Sequence, residues 1–182
     1  MKERKALNDF IELPKEVAAK VENGVVILTA GKNTEARKIG SKSMNAKVEG
    51  SKLLFTNEKD TKKERKLMGT LKAHLKNMIK GVTQGHVYQL KICSGHFPMS
   101  VAVAKDELVV KNYLGEKVPR TLKLNQRTKV KVEGDHIIVE SSSKELAGQT
   151  AAAIETLTKR ANYDRRIFQD GIYIINKDGE EV

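Results

Sequence analysis

Apolar and polar residues alternate with a period of two through most of the chain, and twice the period lengthens to that of a helix. "EVAAKVENGVVILTA" reads as two strands around a turn at Asn23-Gly24, and "MNAKVEGSKLLFT" as two more around Glu49-Gly50. A helix follows, with Leu67, Met68, Leu71, Leu75, Met78 and Ile79 on one stripe behind a capping-box pattern of Thr61 and Glu64. The cycle then recurs. A second helix is expected behind Ser142 and Glu145, with Leu146, Ala153, Ile154, Leu157 and Ala161 on its apolar face.

The recurrence has a fixed offset of 84 residues. Pro14 falls on Pro98, Leu13 on Phe97, Val17 and Ala18 on Val101 and Ala102, Val25 and Val26 on Val109 and Val110, and Gly31 on Gly115. "KVEG" at 47–50 repeats at 131–134, and "LLF" meets "IIV" beyond it. The expected architecture is therefore α+β: two tandem duplicated domains, each an antiparallel sheet packed against one helix. The first domain is expected over residues 1–81 and the second over 82–182, with Gly81 ending the first helix and Gly85 loosening the junction.

Charge adds a partner to this picture. The chain holds 34 Lys and Arg against 23 Asp and Glu, a net charge of +11 and a pI near 9.6, which favours a polyanion. Nucleic acid is the first candidate and a membrane surface the second. No apolar run approaches the length of a span, and "MKERKALNDF" lacks the apolar core of a signal peptide, so a cytosolic setting is expected. One cysteine, Cys93, excludes an internal disulfide and reads as a small apolar residue in a strand.

Catalysis is not expected. The four histidines, His74, His86, His96 and His136, are scattered, and no metal-binding spacing or glycine-rich phosphate loop occurs. Cys93 and His96 stand three apart, which in an extended strand turns them to opposite faces. Neither a cofactor nor a metal is implied.

The basic residues divide unevenly, 19 against 10 acidic through Gln84 and 15 against 13 beyond it. Lys62, Arg65, Lys66, Lys76 and Lys80 lie roughly opposite the first helix's apolar stripe, as either a phosphate-binding face or an ordinary solvated one. In the second half, cations gather where the backbone changes direction. Lys111, Asn112, Lys117 and Arg120 bracket "LGEKVPR", while Lys159, Arg160, Asn162, Tyr163, Arg165 and Arg166 cluster in and before "NYDRRIFQDGIY". Arginine grips phosphate with a planar fork, asparagine donates to phosphate or base edge, and tyrosine offers a stacking face. Phe168 and Tyr173, flanking Asp170-Gly171 and alternating with Ile172 and Ile174, read as core, with the Asp-Gly turn fixing a strand that holds Arg165 and Arg166 outward.

"LKAHLKNMIKGVTQGHVYQLKICSGHFPMSV", "KNYLGEKVPR" and "RIFQDGIYIINK", in that order, resemble the large-subunit ribosomal protein six family in its archaeal and eukaryotic form. The likeness covers nearly the whole chain, although the Tyr-Lys-Gly-Lys-Gly segment of bacterial members is absent. It implies a structural protein bound to large-subunit rRNA near the sarcin-ricin loop and the stalk base, where translational GTPases dock. It further implies that the second domain makes much of the RNA contact, beside neighbouring ribosomal proteins and without homo-oligomers. A free RNA-binding regulator is the competing reading.

Overall fold

The computed structural model describes residues 7–40, 44–58, 60–164 and 166–182. They form two compact units, residues 1–85 and 86–182. The first unit runs β1 (Leu7–Glu12), β2 (Ala18–Glu22), β3 (Val25–Ala30), β4 (Asn33–Lys38), β5 (Met44–Glu49), β6 (Lys52–Asn57) and α1 (Lys62–Thr83). All pairings are antiparallel, in a sheet of order β1-β6-β5 and a meander β2-β3-β4. Asn23 and Gly24, both at positive φ, close the β2–β3 turn in the hand that suits twisted strands. Inside lie Ile11, Val26, Leu28, Leu53 and Phe55, covered by Met68, Leu71, Leu75 and Val82 of α1.

The second unit repeats this order with β7 (His86–Cys93), β8 (Ser100–Ala104), β9 (Glu107–Lys111), a 3-10 turn (Tyr113–Gly115), β10 (Arg120–Lys123), β11 (Thr128–Glu133), β12 (His136–Ser141) and α2 (Lys144–Leu157). It then adds β13 (Gly171–Lys177) and the short β14 (Glu180–Glu181), so its main sheet has the order β11-β12-β7-β13-β14. Leu90, Ile137, Val139, Ile172, Ala147, Ala151 and Ile154 form its core between sheet and helix.

The α+β duplication stands, with a second three-stranded sheet in each copy beyond the one expected. The single offset of 84 holds for β5–β6 against β11–β12. It fails earlier in the copies. Leu7 and His86 pair with Asn57 and Ser141, so the first strands correspond at 79, and the β2–β3 and β8–β9 hairpins at 82. The second copy is thus longer between its first two strands, at 94–99, and replaces the short turn at 31–32 by residues 112–119. Loops absorb such insertions at small entropic cost.

Helix limits also differ from expectation. Gly81 is buried inside α1, which continues to Thr83 and ends where Gln84 and Gly85 donate to Lys80 O, Gly85 at φ 78°. Thr61 caps α1 with its carbonyl, which accepts from Arg65 N, rather than with its side chain. On α2 the cap is Ser143, one residue later than Ser142, its side chain accepting from Leu146 N. Ala161 lies beyond α2, because buried Thr158 turns the chain away: its N–H and hydroxyl both donate to Glu155 O, and its hydroxyl accepts from Ile172 N.

Candidate nucleic-acid interface

Three segments distinguish the second copy from the first: 94–99, 112–119 and 158–170. They meet at one end of the second unit. Asp170 accepts from Gly95 N at 2.6 Å, from His96 N at 3.0 Å, and faces His96 Nδ1 at 2.5 Å. Burial works to raise the pKa of this carboxyl, but the bonds from His96 and Gly95 outweigh it and hold the group below the ordinary carboxylate range. Asn112 Nδ2 donates to Pro98 O at 2.9 Å, and the ring of Phe97 lies over Gly115. Asn112 and Leu114 both adopt left-handed φ, a conformation such side chains tolerate only where the surroundings fix it.

Arg120 ties the second segment to the third. Its Nε and Nη2 grip Glu116 at 2.8 and 2.7 Å, Nη1 donates to Leu157 O at 2.6 Å, and the guanidinium lies 4.3 Å from the Tyr113 ring centroid. This places a cation on the C-terminal carbonyls of α2, where the helix dipole favours one. Hydrogen bonding from Arg120, against a smaller effect of burial, lowers the Glu116 pKa. Beneath, buried Tyr113 donates to Thr158 O at 2.5 Å.

On this locked base stands the exposed layer. Arg160 lies 4.4 Å from the Tyr163 ring centroid and 3.8 Å from Glu116. Tyr163 meets Phe168 edge-on at 5.0 Å, and Phe168 stacks on His96 at 5.1 Å. Arg166, whose side chain is 90% exposed, is oriented by Asp164, which accepts from its backbone and guanidinium. Lys111, Lys117, Lys159 and Asn162 are exposed around them. A cleft of about 230 Å³ opens among Tyr113, Arg160, Tyr163, Phe168, Asp170 and Tyr173. Among the described residues no group of three or more His, Cys, Asp and Glu is placed to hold a metal ion, and no helix is long and apolar enough to cross a membrane.

The model of the family described as Ribosomal protein L6 matches this chain twice, over residues 13–85 and 97–171. The chain belongs to the ribosomal protein L6 family. It is 39% identical over 174 residues to large ribosomal subunit protein uL6 of Methanococcus vannielii, covering 96% of each chain. It is 41% identical to the uL6 proteins of Methanobrevibacter smithii (95% of this chain, 97% of that one) and Methanosarcina mazei (92% and 95%). Ribosomal protein L6 is a structural, non-enzymatic family, so the cleft is a feature of a scaffold.

The residues singled out in this L6 chain do not all sit alike. Lys111, Asn112, Lys117, Lys159, Arg160, Asn162, Tyr163 and Arg166 gather at the same end, Arg120 lies half-buried beneath them, and Arg165 falls outside the described residues. Arg166 is not held by a strand, since β13 begins only at Gly171 and residues 166–170 are a loop. Tyr173 is 39% exposed on the face opposite Ile172, and Phe168 stacks within the loop, so neither is a core residue. On α1, Arg65 is committed to Asp60 at 2.5 and 2.6 Å, while Lys62, Lys66 and Lys76 are exposed. His96, Phe97, Glu116, Thr158 and Asp170 escaped the sequence reading. The extra length of 94–99 is their signal, and a single offset that pairs Pro14 with Pro98 conceals it.

Proposed function

We propose that the chain is a structural constituent of the large ribosomal subunit. The loop-built end of its second unit is the main surface for large-subunit rRNA, near the sarcin-ricin loop and the stalk base, and there it supports the translation-factor site. The observation that supports this is the convergence, on one internally bonded platform, of three segments by which the copies differ. Two of them, 112–119 and the one following α2, bring cations to it, while 94–99 anchors them through His96 and Phe97. Lys111, Lys117, Lys159, Arg160 and Arg166 contact phosphates, joined by Arg165 on sequence grounds, while Tyr163 stacks on a base and Asn112 and Asn162 add polar contacts. Arg120 acts from below, fixing the loop that carries Lys117. Neighbouring large-subunit proteins at the stalk base complete the surroundings, with no homo-oligomer and a cytoplasmic, ribosome-bound location.

Sedimentation of an extract tests the role: the chain should run with large subunits and remain there at moderate salt, whereas recovery only in light fractions would favour a free RNA-binding regulator. Crosslinking within the intact subunit tests the surface. Crosslinks from 111–120 and 159–166 should map to rRNA at the sarcin-ricin region, and crosslinks from α1 alone would refute the assignment.

A further inference from the structure

The duplication leaves one position filled in the second unit and open in the first. In the second unit β13 lies along the outer edge of β7, pairing Ile172 with Ile92 and Ile174 with Leu90. Ile172 is fully buried, and the N–H groups of Ile172 and Ile174 donate to Thr158 and Glu155. At the offset of 79, Ile92 and Leu90 correspond to Leu13 and Ile11. There β1 is the end of its sheet, and among the described residues no strand pairs with its outer side.

The vacant side has the form of a slot. Between β1 and α1 runs a groove of about 450 Å³ lined by Asp9, Phe10, Ile11, Lys72, Lys76 and Ile79. Leu13 N donates inward to Ser51 O, so alternation turns the N–H and C=O of Phe10 and Glu12 outward. Among the described residues the Phe10 N–H is covered only by the adjacent Asp9 side chain, at 2.9 Å, and its ring is 47% exposed. Natural edges are usually blocked by pairing, bulges or cover. Lys72 holds Asp9 at 2.7 and 2.8 Å, and Lys76 stands exposed at the rim.

We infer that β1 accepts an extended segment of another protein as an added strand, apolar at the two positions opposite Leu13 and Ile11 and acidic where it passes Lys76. The segment hydrogen-bonds to the outward groups of Phe10 and Glu12 and lays its apolar side chains on Ile11 and Ile79, as Ile172 and Ile174 lie under α2. The outward backbone groups of Phe10 and Glu12 and the apolar floor of Ile11 and Ile79 match a peptide strand and do not match RNA phosphates. This inference does not depend on the RNA surface proposed for the second unit.

The probe is a capped peptide of sequence GIYIINK, the second unit's own filler strand, added to the isotope-labelled full chain and followed by NMR. Binding should shift the amides of Asn8–Leu13, slow hydrogen exchange at Phe10 and Glu12, and leave β7 unchanged. A version ending in glutamate should bind about fivefold more tightly at low salt, as a partly exposed ion pair allows. Methylating the peptide nitrogens that face β1 should abolish binding, and methylating the other edge should not. Shifts confined to β7 and β13, no shifts at millimolar peptide, or indifference to which edge is methylated would each overturn the proposal. So would protection of Phe10 and Glu12 by self-association or by an rRNA fragment in place of the peptide.

Discussion

The two copies share a hairpin in identical register, β5–β6 in one and β11–β12 in the other, yet differ wherever the chain leaves the sheets. α1 has 22 residues and buries a stripe from Met68 to Val82, whereas α2 stops after 14 and its C-cap Thr158 turns the chain out of the helix. The first copy turns from β3 to β4 with two residues, while the second builds a strained, internally bonded excursion. After duplication, the ladders that bury apolar side chains were constrained and the connections were free to acquire function. Net charge obscures this. The first half carries the larger cation excess, but on α1 it is spread over a helix surface, with Arg65 paired to Asp60.

The largest effects should come from the shared ladder. Phe55 and Val139 occupy equivalent, fully enclosed positions. In isolated segments 1–85 and 86–182, Phe55→Ala should destabilise the first by about 3–5 kcal/mol and Val139→Ala the second by about 2 kcal/mol. Denaturant titration measures both, and non-cooperative unfolding of either unsubstituted segment would contradict the reading of each copy as a folding unit.

Next, Arg160→Ala with Arg166→Ala should weaken binding to an rRNA fragment containing the sarcin-ricin region by about 2–4 kcal/mol, with steep salt dependence. Lys62→Ala with Lys66→Ala on α1 should cost less than 1 kcal/mol. Equal losses would erase the functional contrast between the copies. Electrophoretic titration at two salt concentrations decides.

Asp170→Asn should destabilise the second unit by about 1–3 kcal/mol, as expected for a buried acceptor of several bonds. The folded pKa of Asp170 lies below its unfolded value of about 3.9, so its contribution is present above that value and is lost as pH falls through the folded pKa. Thermal melts from pH 5 to pH 2 should therefore fall less steeply in the variant, and an unchanged acid limb would count against the clamp. The smallest effect is its counterpart in the first unit. Asp9 is lowered chiefly by its bond from Lys72, but with the side chain 34% exposed, Lys72→Ala should cost below 1 kcal/mol by the same melts.

Regular elements were legible because their signals are local. Asn23-Gly24, the repeated "KVEG" and the stripe of α1 each encode a conformation or a buried face within a few residues. Gly81 misled because burial against a sheet outweighs its poor helix propensity. Ala161 continued an apolar period that Thr158 had already ended through a bond to Ile172, 14 residues away. The exposed cations of the interface were visible as composition at bends. Its foundation was not, since Asp170 meets Gly95 across 75 residues and nothing local to either marks the pairing. Strand alternation fixes only that Tyr173 faces away from Ile172, and it is the Ile172 face that the core takes up.

Strand order also sets a timetable for synthesis. The first unit's ladders close within residues 7–57, and α1 follows directly, so this unit can fold while the second is still being translated. In the second unit β7 is flanked by β12 and β13, and the latter arrives some 80 residues after β7 has been made. Until then β7 presents an unpaired edge. Long-range pairing of this kind slows folding and prolongs exposure of unpaired backbone. The first unit should thus be mature when the second is most vulnerable, and the interval between them is set by translation speed.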